Sequence, residues 1–323
     1  MANGRVGSVA NNVNTEAAPL LTPPASTRRL QGRTLGLVAL VAVILSFSLG
    51  STLVKLADTP GVAIAFWRMV VCSIIWVVIL RLTERRWLSW ADIKPALVPG
   101  ILFGLNICFF FTGVTKTTVA AAEFTGALTP LLVVPAGALL FHEKVNGKAL
   151  LFGLVSLAGL AIVLFNAPPG KTDFSWVGVV WIVAAMTLWA GYLLTSRSLR
   201  QGRSVAAVMA AITPIAAVVT LPLGLFVFPG TLDDITWRSV VYIGILAVLT
   251  GTIAHGLMVF AQHSVPIGFI SMMQVSQPAI AVGWSIVFLD ATVRGIQVVG
   301  MGLVIAGLAA VTIVTQRAKA AAG

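Results

Sequence analysis

Arg68 and Glu123 are two full charges set in runs that are otherwise apolar. An ionisable side chain in such a setting is costly, and by default it marks a substrate or proton path. Glu123 can exchange protons or hold a substrate ammonium, and Arg68 can tune that carboxylate or bind a substrate carboxylate. Two plainer arrangements are also open. The pair can form a buried structural ion pair, or Arg68 can snorkel along its stem to the polar boundary. His255 is a further candidate for proton coupling, although a neighbouring helix satisfies a lone histidine equally well.

Spacing adds neighbours to the acid. On a helix, positions 123, 126, 127 and 130 share one face, which sets Gly126, Ala127 and Pro130 beside Glu123. Small residues next to a carboxylate leave room for a ligand or water, and Pro130 frees the Gly126 carbonyl. A second such face holds Ser271, Gln274, Val275 and Pro278, with Gln277 alongside. It is polar but neutral. Gln274 serves either a ligand or an interhelical hydrogen bond, and each proline either a gate or an ordinary kink. Asn106 is a weaker polar candidate. Trp189 and Tyr192 either stack on an organic cation or aromatic substrate or pack.

The elements that must position these residues are legible from composition. The chain has 323 residues, 58% hydrophobic and 10% charged, with mean hydropathy +1.00. A soluble domain keeps about a quarter of its residues charged, so this chain belongs in lipid. The net charge of +11 lies between apolar blocks, not along a groove, which argues against nucleic acid. Cys72 and Cys108 lie inside apolar runs and read as small buried hydrophobes.

A membrane-crossing helix needs about 20 mostly apolar residues. Ten stretches qualify: 34–56, 61–80, 96–115, 117–141, 148–167, 175–195, 205–228, 239–261, 265–289 and 295–315. The cut at Lys116 demands a very tight turn. With a cytoplasmic amino terminus, fifteen Lys and Arg fall inside and five outside, apart from Arg68. That bias supports the count and the orientation. Trp87, Trp90, Trp176 and Trp237 read as interfacial anchors. Residues 1–32 read as a disordered basic tail and 317–323 as a second cytoplasmic tail.

A shift of 148 places Pro130 on Pro278, Gly147 on Gly295 and Ala158–Ala161 on Ala306–Ala309. Spans three to five thereby match eight to ten. Five crossings per copy is an odd number, so the second copy, 175–316, enters the membrane inverted relative to the first, 33–167, with 168–174 as an outer linker. In such transporters the substrate site lies near mid-membrane between the halves. The expected architecture is all-α, with ten helices in two inverted five-helix repeats.

The stretches "SLGSTLVK", "FWR", "LTPLLVVPAGALLFHE" with Pro130 and Glu143, "LWAGYLLTSR" and "QPAIAVGWSIVFLD" resemble, in order and spacing, the EamA-like family of the drug/metabolite transporter superfamily. One departure is Asp290, which stands one position before the family's acid. The resemblance covers roughly residues 34–315 and implies a ten-helix transporter, often an exporter of amino acids or related metabolites. No GxxxxGK[ST] loop, HExxH or GxSxG is present, so neither ATP-driven transport nor hydrolysis is expected. No cofactor or metal is expected either. The expected partners are a small-molecule substrate and membrane lipid, and Gly302, Ala306 and Ala310 of the tenth helix suit either close helix packing or a dimer face for a second copy of the chain. The functional expectation is an alternating-access exporter in the plasma membrane, with both termini cytoplasmic and proton exchange as a possible drive. A flippase or an embedded enzyme acting on a lipid-linked substrate is the alternative.

Overall fold

The computed structural model describes residues 25–132, 147–167, 174–199, 202–264 and 273–322, and among them no strand occurs. In lipid every backbone polar group must be satisfied within its own segment, and apolar runs of this length do so as helices. The first run forms α1 (Ala25–Ser48) and α2 (Gly50–Ala57), divided at Leu49. Then come α3 (Gly61–Glu84), α4 (Trp90–Lys116), α5 (Val119–Gly126) and α6 (Gly147–Phe165). In the second half, α7 covers Trp176–Leu199, and α8 (Val205–Pro222) continues as a π-helical turn, Leu223–Val227. Next, α9 (Trp237–Ile245) passes through a π-helical segment, Leu246–Ile253, into α10 (Ala254–Ser264). The chain closes with α11 (Gln277–Leu289) and α12 (Gly295–Ala322).

Helix ends follow local chemistry. Ser89 caps α4 in a box with Asp92, and Thr236 caps α9 in a box with Ser239. The turn at Lys116 takes two residues: Thr117 is extended, and Thr118 accepts the Ala121 N–H to start α5. The four tryptophans expected as anchors, Trp87, Trp90, Trp176 and Trp237, are all exposed.

Among the described residues, eight helices are long and apolar enough to cross a membrane. The fourth and ninth expected spans are described only in part, as the shorter apolar helices Val119–Leu132 and Gln277–Leu289; the rest of each, with Glu143, lies outside the described residues. Helix α1 begins at Ala25, inside the stretch read as disordered, and α12 runs to Ala322. Extending an existing helix costs far less than nucleating one, and the alanine-rich end of α12 is a good helix former.

The tightest seam joins α6 to α12. The Ser156 hydroxyl lies 3.4 Å from the Val304 carbonyl, a residue 148 positions on. A Cβ on Gly159 would lie 2.6 Å from the Gly300 carbonyl oxygen, and one on Gly307 would lie 2.8 Å from that of Phe152. Only glycine permits these approaches. Elsewhere α4 packs on α7 and α8, α3 on α8, and α1 on α10.

Candidate functional site

The helix from Val119 to Leu132 breaks at residues 127–128, and the helix preceding α11 breaks at 275–276. Each break lies just before a proline that cannot donate to the carbonyl four residues back. The Leu128 N–H turns to the Thr125 carbonyl at 3.1 Å, and the Ser276 N–H to that of Met273 at 3.2 Å. The Gly126 carbonyl, freed by Pro130, accepts the Thr129 hydroxyl at 2.7 Å.

Both breaks open onto one cavity of about 580 Å³. Its wall includes Gly126, Ala127, Thr129 and Pro130 from one helix and Gln274, Val275, Gln277 and Pro278 from the other. Glu123, Arg68, Asn106, Trp189 and His255 line it as well. The sequence-derived pathway residues are thus brought together, with two differences. Ser271 lies outside the described residues. Tyr192 is buried behind the wall, its ring 4.9 Å from that of Trp189 and 5.2 Å from that of Phe103.

The two charges do not meet. Glu123, 8% exposed, accepts a hydrogen bond from the Ser51 hydroxyl. Arg68, 5% exposed, donates from one terminal nitrogen to Thr250 Oγ1 at 3.0 Å, and its guanidinium carbon stands 5.4 Å from the Phe111 ring centre. No ion pair joins Arg68 to Glu123 among the described residues. Nor does Arg68 snorkel, since it is buried against α4 and the π-helical segment. Asn106 donates to the Ala185 carbonyl at 2.8 Å and ties α4 to α7. His255 Nδ1 lies 2.9 Å from the Thr250 carbonyl, with the Phe47 ring edge-on at 5.2 Å.

The EamA-like transporter family model matches residues 34–165 and 176–313, nearly the whole chain. The chain belongs to this family. It is a membrane transporter with several membrane-crossing helices, not an enzyme. Within reach of this EamA-like transporter is the Threonine/homoserine exporter RhtA of Salmonella typhimurium (strain SL1344), 28% identical over 91% of this chain and 96% of the relative. The Uncharacterized transporter YxxF of Bacillus subtilis (strain 168) is 24% identical over 76% and 77%. The Uncharacterized inner membrane transporter YhbE of Escherichia coli (strain K12) is 28% identical over 40% and 43%. A solved crystal structure shares the fold with a TM-score of 0.59 at 19% identity, covering 90% of this chain and 99% of that one.

Several wall residues of this EamA-like protein escape sequence reasoning. Ser51 and Thr250 hold the two charges, yet each is one hydroxyl among many in apolar runs. Phe47, Phe103 and Phe110 line the cavity, and nothing separates them in sequence from core phenylalanines. The π-helical segment has no sequence signature either, although Gly251 within it hints at close backbone approach.

Proposed function

We propose that this EamA-like protein is a secondary exporter of amino acids or related small metabolites, working by alternating access across the plasma membrane in exchange for protons. One observation carries the reading: a cavity walled jointly by two proline-broken helices and holding, among the described residues, one acid, one guanidinium and one imidazole. Glu123 is the proton-exchanging group, with His255 as a second titratable site. The amino-acid reading draws on RhtA, whose name describes a threonine/homoserine exporter.

The proposed frame is ten helices in two inverted repeats, 33–167 and 175–316, with both termini cytoplasmic. Reciprocity supports it. Ser156 faces its own counterpart, Val304, across the α6/α12 seam, and the contact of Gly159 with Gly300 maps onto that of Gly307 with Phe152 under the shift of 148. The cavity-lining pairs Gly126/Gln274, Ala127/Val275, Thr129/Gln277 and Pro130/Pro278 obey the same interval. Odd-numbered repeats related this way rock about a central site. A second copy is proposed to dock on the tenth helix, where Gly302 and Ala306 are exposed.

The test is efflux of a labelled amino-acid mixture from proteoliposomes, with and without an imposed pH gradient. Efflux should quicken when protons enter as substrate leaves. Efflux that ignores the gradient removes the proton exchange. Cysteines introduced at 85 and 203 should react from the same side of the membrane; reaction from opposite sides removes the inverted frame.

A further inference from the structure

The cavity's guanidinium is buried, and among the described residues no acid pairs with it. Arg68 makes one hydrogen bond to protein, to Thr250, and its Nε has no partner. Among the described residues no acid lies within ion-pair distance of it, and none of them that lines the cavity is another Arg or Lys. A buried cation with most of its donors unused is expensive unless something supplies the acceptor.

The surroundings hold the group in place. Thr250 spends its own hydroxyl proton on the Leu246 carbonyl at 2.7 Å, so its oxygen is left to accept from Arg68. Phe111 covers one face of the guanidinium. The next turns of the same α3 face lock onto the π-helical segment. Cys72 Sγ lies 3.7 Å from the Ala247 carbonyl, and Trp76 Nε1 donates to the Gly251 carbonyl at 3.0 Å. A Cβ on Gly251 would lie 2.5 Å from Cys72 Sγ, so the approach needs glycine. An arginine oriented this way before any ligand arrives is preorganised for an anion.

We infer that Arg68 receives a substrate carboxylate in the cavity and that Thr250 is its positioning residue. The inference rests on the amino-acid exporter reading above. The planar fork of a guanidinium matches a carboxylate with two parallel hydrogen bonds. A single guanidinium balances a monoanion, whereas a phosphate monoester, carrying about −1.5 to −2 charges, would stay under-compensated. The substrate therefore carries one carboxylate, with its remainder along the phenylalanine-lined wall.

The test uses the full chain in proteoliposomes loaded with a radiolabelled mixture of the standard L-amino acids, competed by the same mixture as primary amides. The acids should leave, and the amides should fail to compete. Arg68→Gln should lower efflux by about tenfold or more, with Arg68→Lys keeping part of it. Thr250→Val should raise KM roughly fivefold to tenfold with kcat little changed, and Thr250→Ser should restore it. Amides that compete as well as acids, or a wild-type KM in both Arg68→Gln and Thr250→Val, overturn the inference while leaving a transporter. If Arg68→Gln does not fold, the Thr250 pair decides. If neither acids nor amides move, the amino-acid exporter reading itself falls, and this inference with it.

Discussion

Between Val119 and Leu132 the chain breaks at 127–128, and ahead of α11 it breaks at 275–276. The turn hydrogen bonds match, the prolines match, and both faces line the same cavity. Their chemistry does not match. The first helix carries Glu123, and the described part of the second offers Gln274 and Gln277. The backbone device is thus shared, while among the described residues the charge is confined to one of the two helices. Physical cost explains the restraint. A second carboxylate in one low-dielectric cavity would repel the first, and each would resist ionisation.

The largest difference between the two helices should therefore appear when each loses its polar group. Glu123→Gln keeps the shape and the contact with Ser51 but cannot exchange a proton. Efflux in proteoliposomes should fall by about a hundredfold, the scale of a lost proton-transfer group, while detergent-solubilised protein stays monodisperse. Gln274→Ala should cost far less. Equal losses at the two positions would mean that the acid serves packing and that the comparison is empty.

A smaller effect, equal on both sides, is expected from the prolines. Each sits in the first turn of the resumed helix, where its missing N–H costs little. Pro130→Ala and Pro278→Ala permit the helices to close over their breaks. Each should slow efflux roughly fivefold to tenfold, a bias of about 1 kcal/mol between conformers, with no loss of thermal stability. If only one proline matters, the two breaks are not equivalent parts of one mechanism.

Much of this pairing was legible in the sequence, because helical spacing and a constant interval are properties of the chain alone. The face of 123, 126, 127 and 130 and its counterpart at 274 and 278 needed only the 3.6-residue period and the shift of 148. What spacing cannot reach is the partner across the cavity. Arg68 and Glu123 were candidates to meet one another, yet each binds a hydroxyl from a different helix, Thr250 and Ser51. Those choices depend on how α2, α3 and the π-helical segment approach, and no local pattern encodes that. Tyr192, open to stacking on a substrate or to packing, packs for a related reason: its place on the helix puts it one layer behind Trp189.

The finest distinction between the two breaks lies in how the freed carbonyl is treated. In the first helix Thr129 donates to the Gly126 carbonyl. In the second, the Ser276 hydroxyl donates at 2.6 Å to the Met273 carbonyl, which the Ser276 N–H also uses, and not to the Gln274 carbonyl that Pro278 frees. Thr129→Val preserves volume and removes only the donor. It should lower stability by about 1 kcal/mol, the net worth of a typical hydrogen bond, read as a small fall in Tm in detergent. Thr129→Ser should recover it, and efflux should change by less than about twofold, since the hydroxyl serves the backbone and not the substrate. A large transport defect in Thr129→Val with an unchanged Tm would instead put this hydroxyl on the substrate, and the first break would then differ from the second by two functional groups.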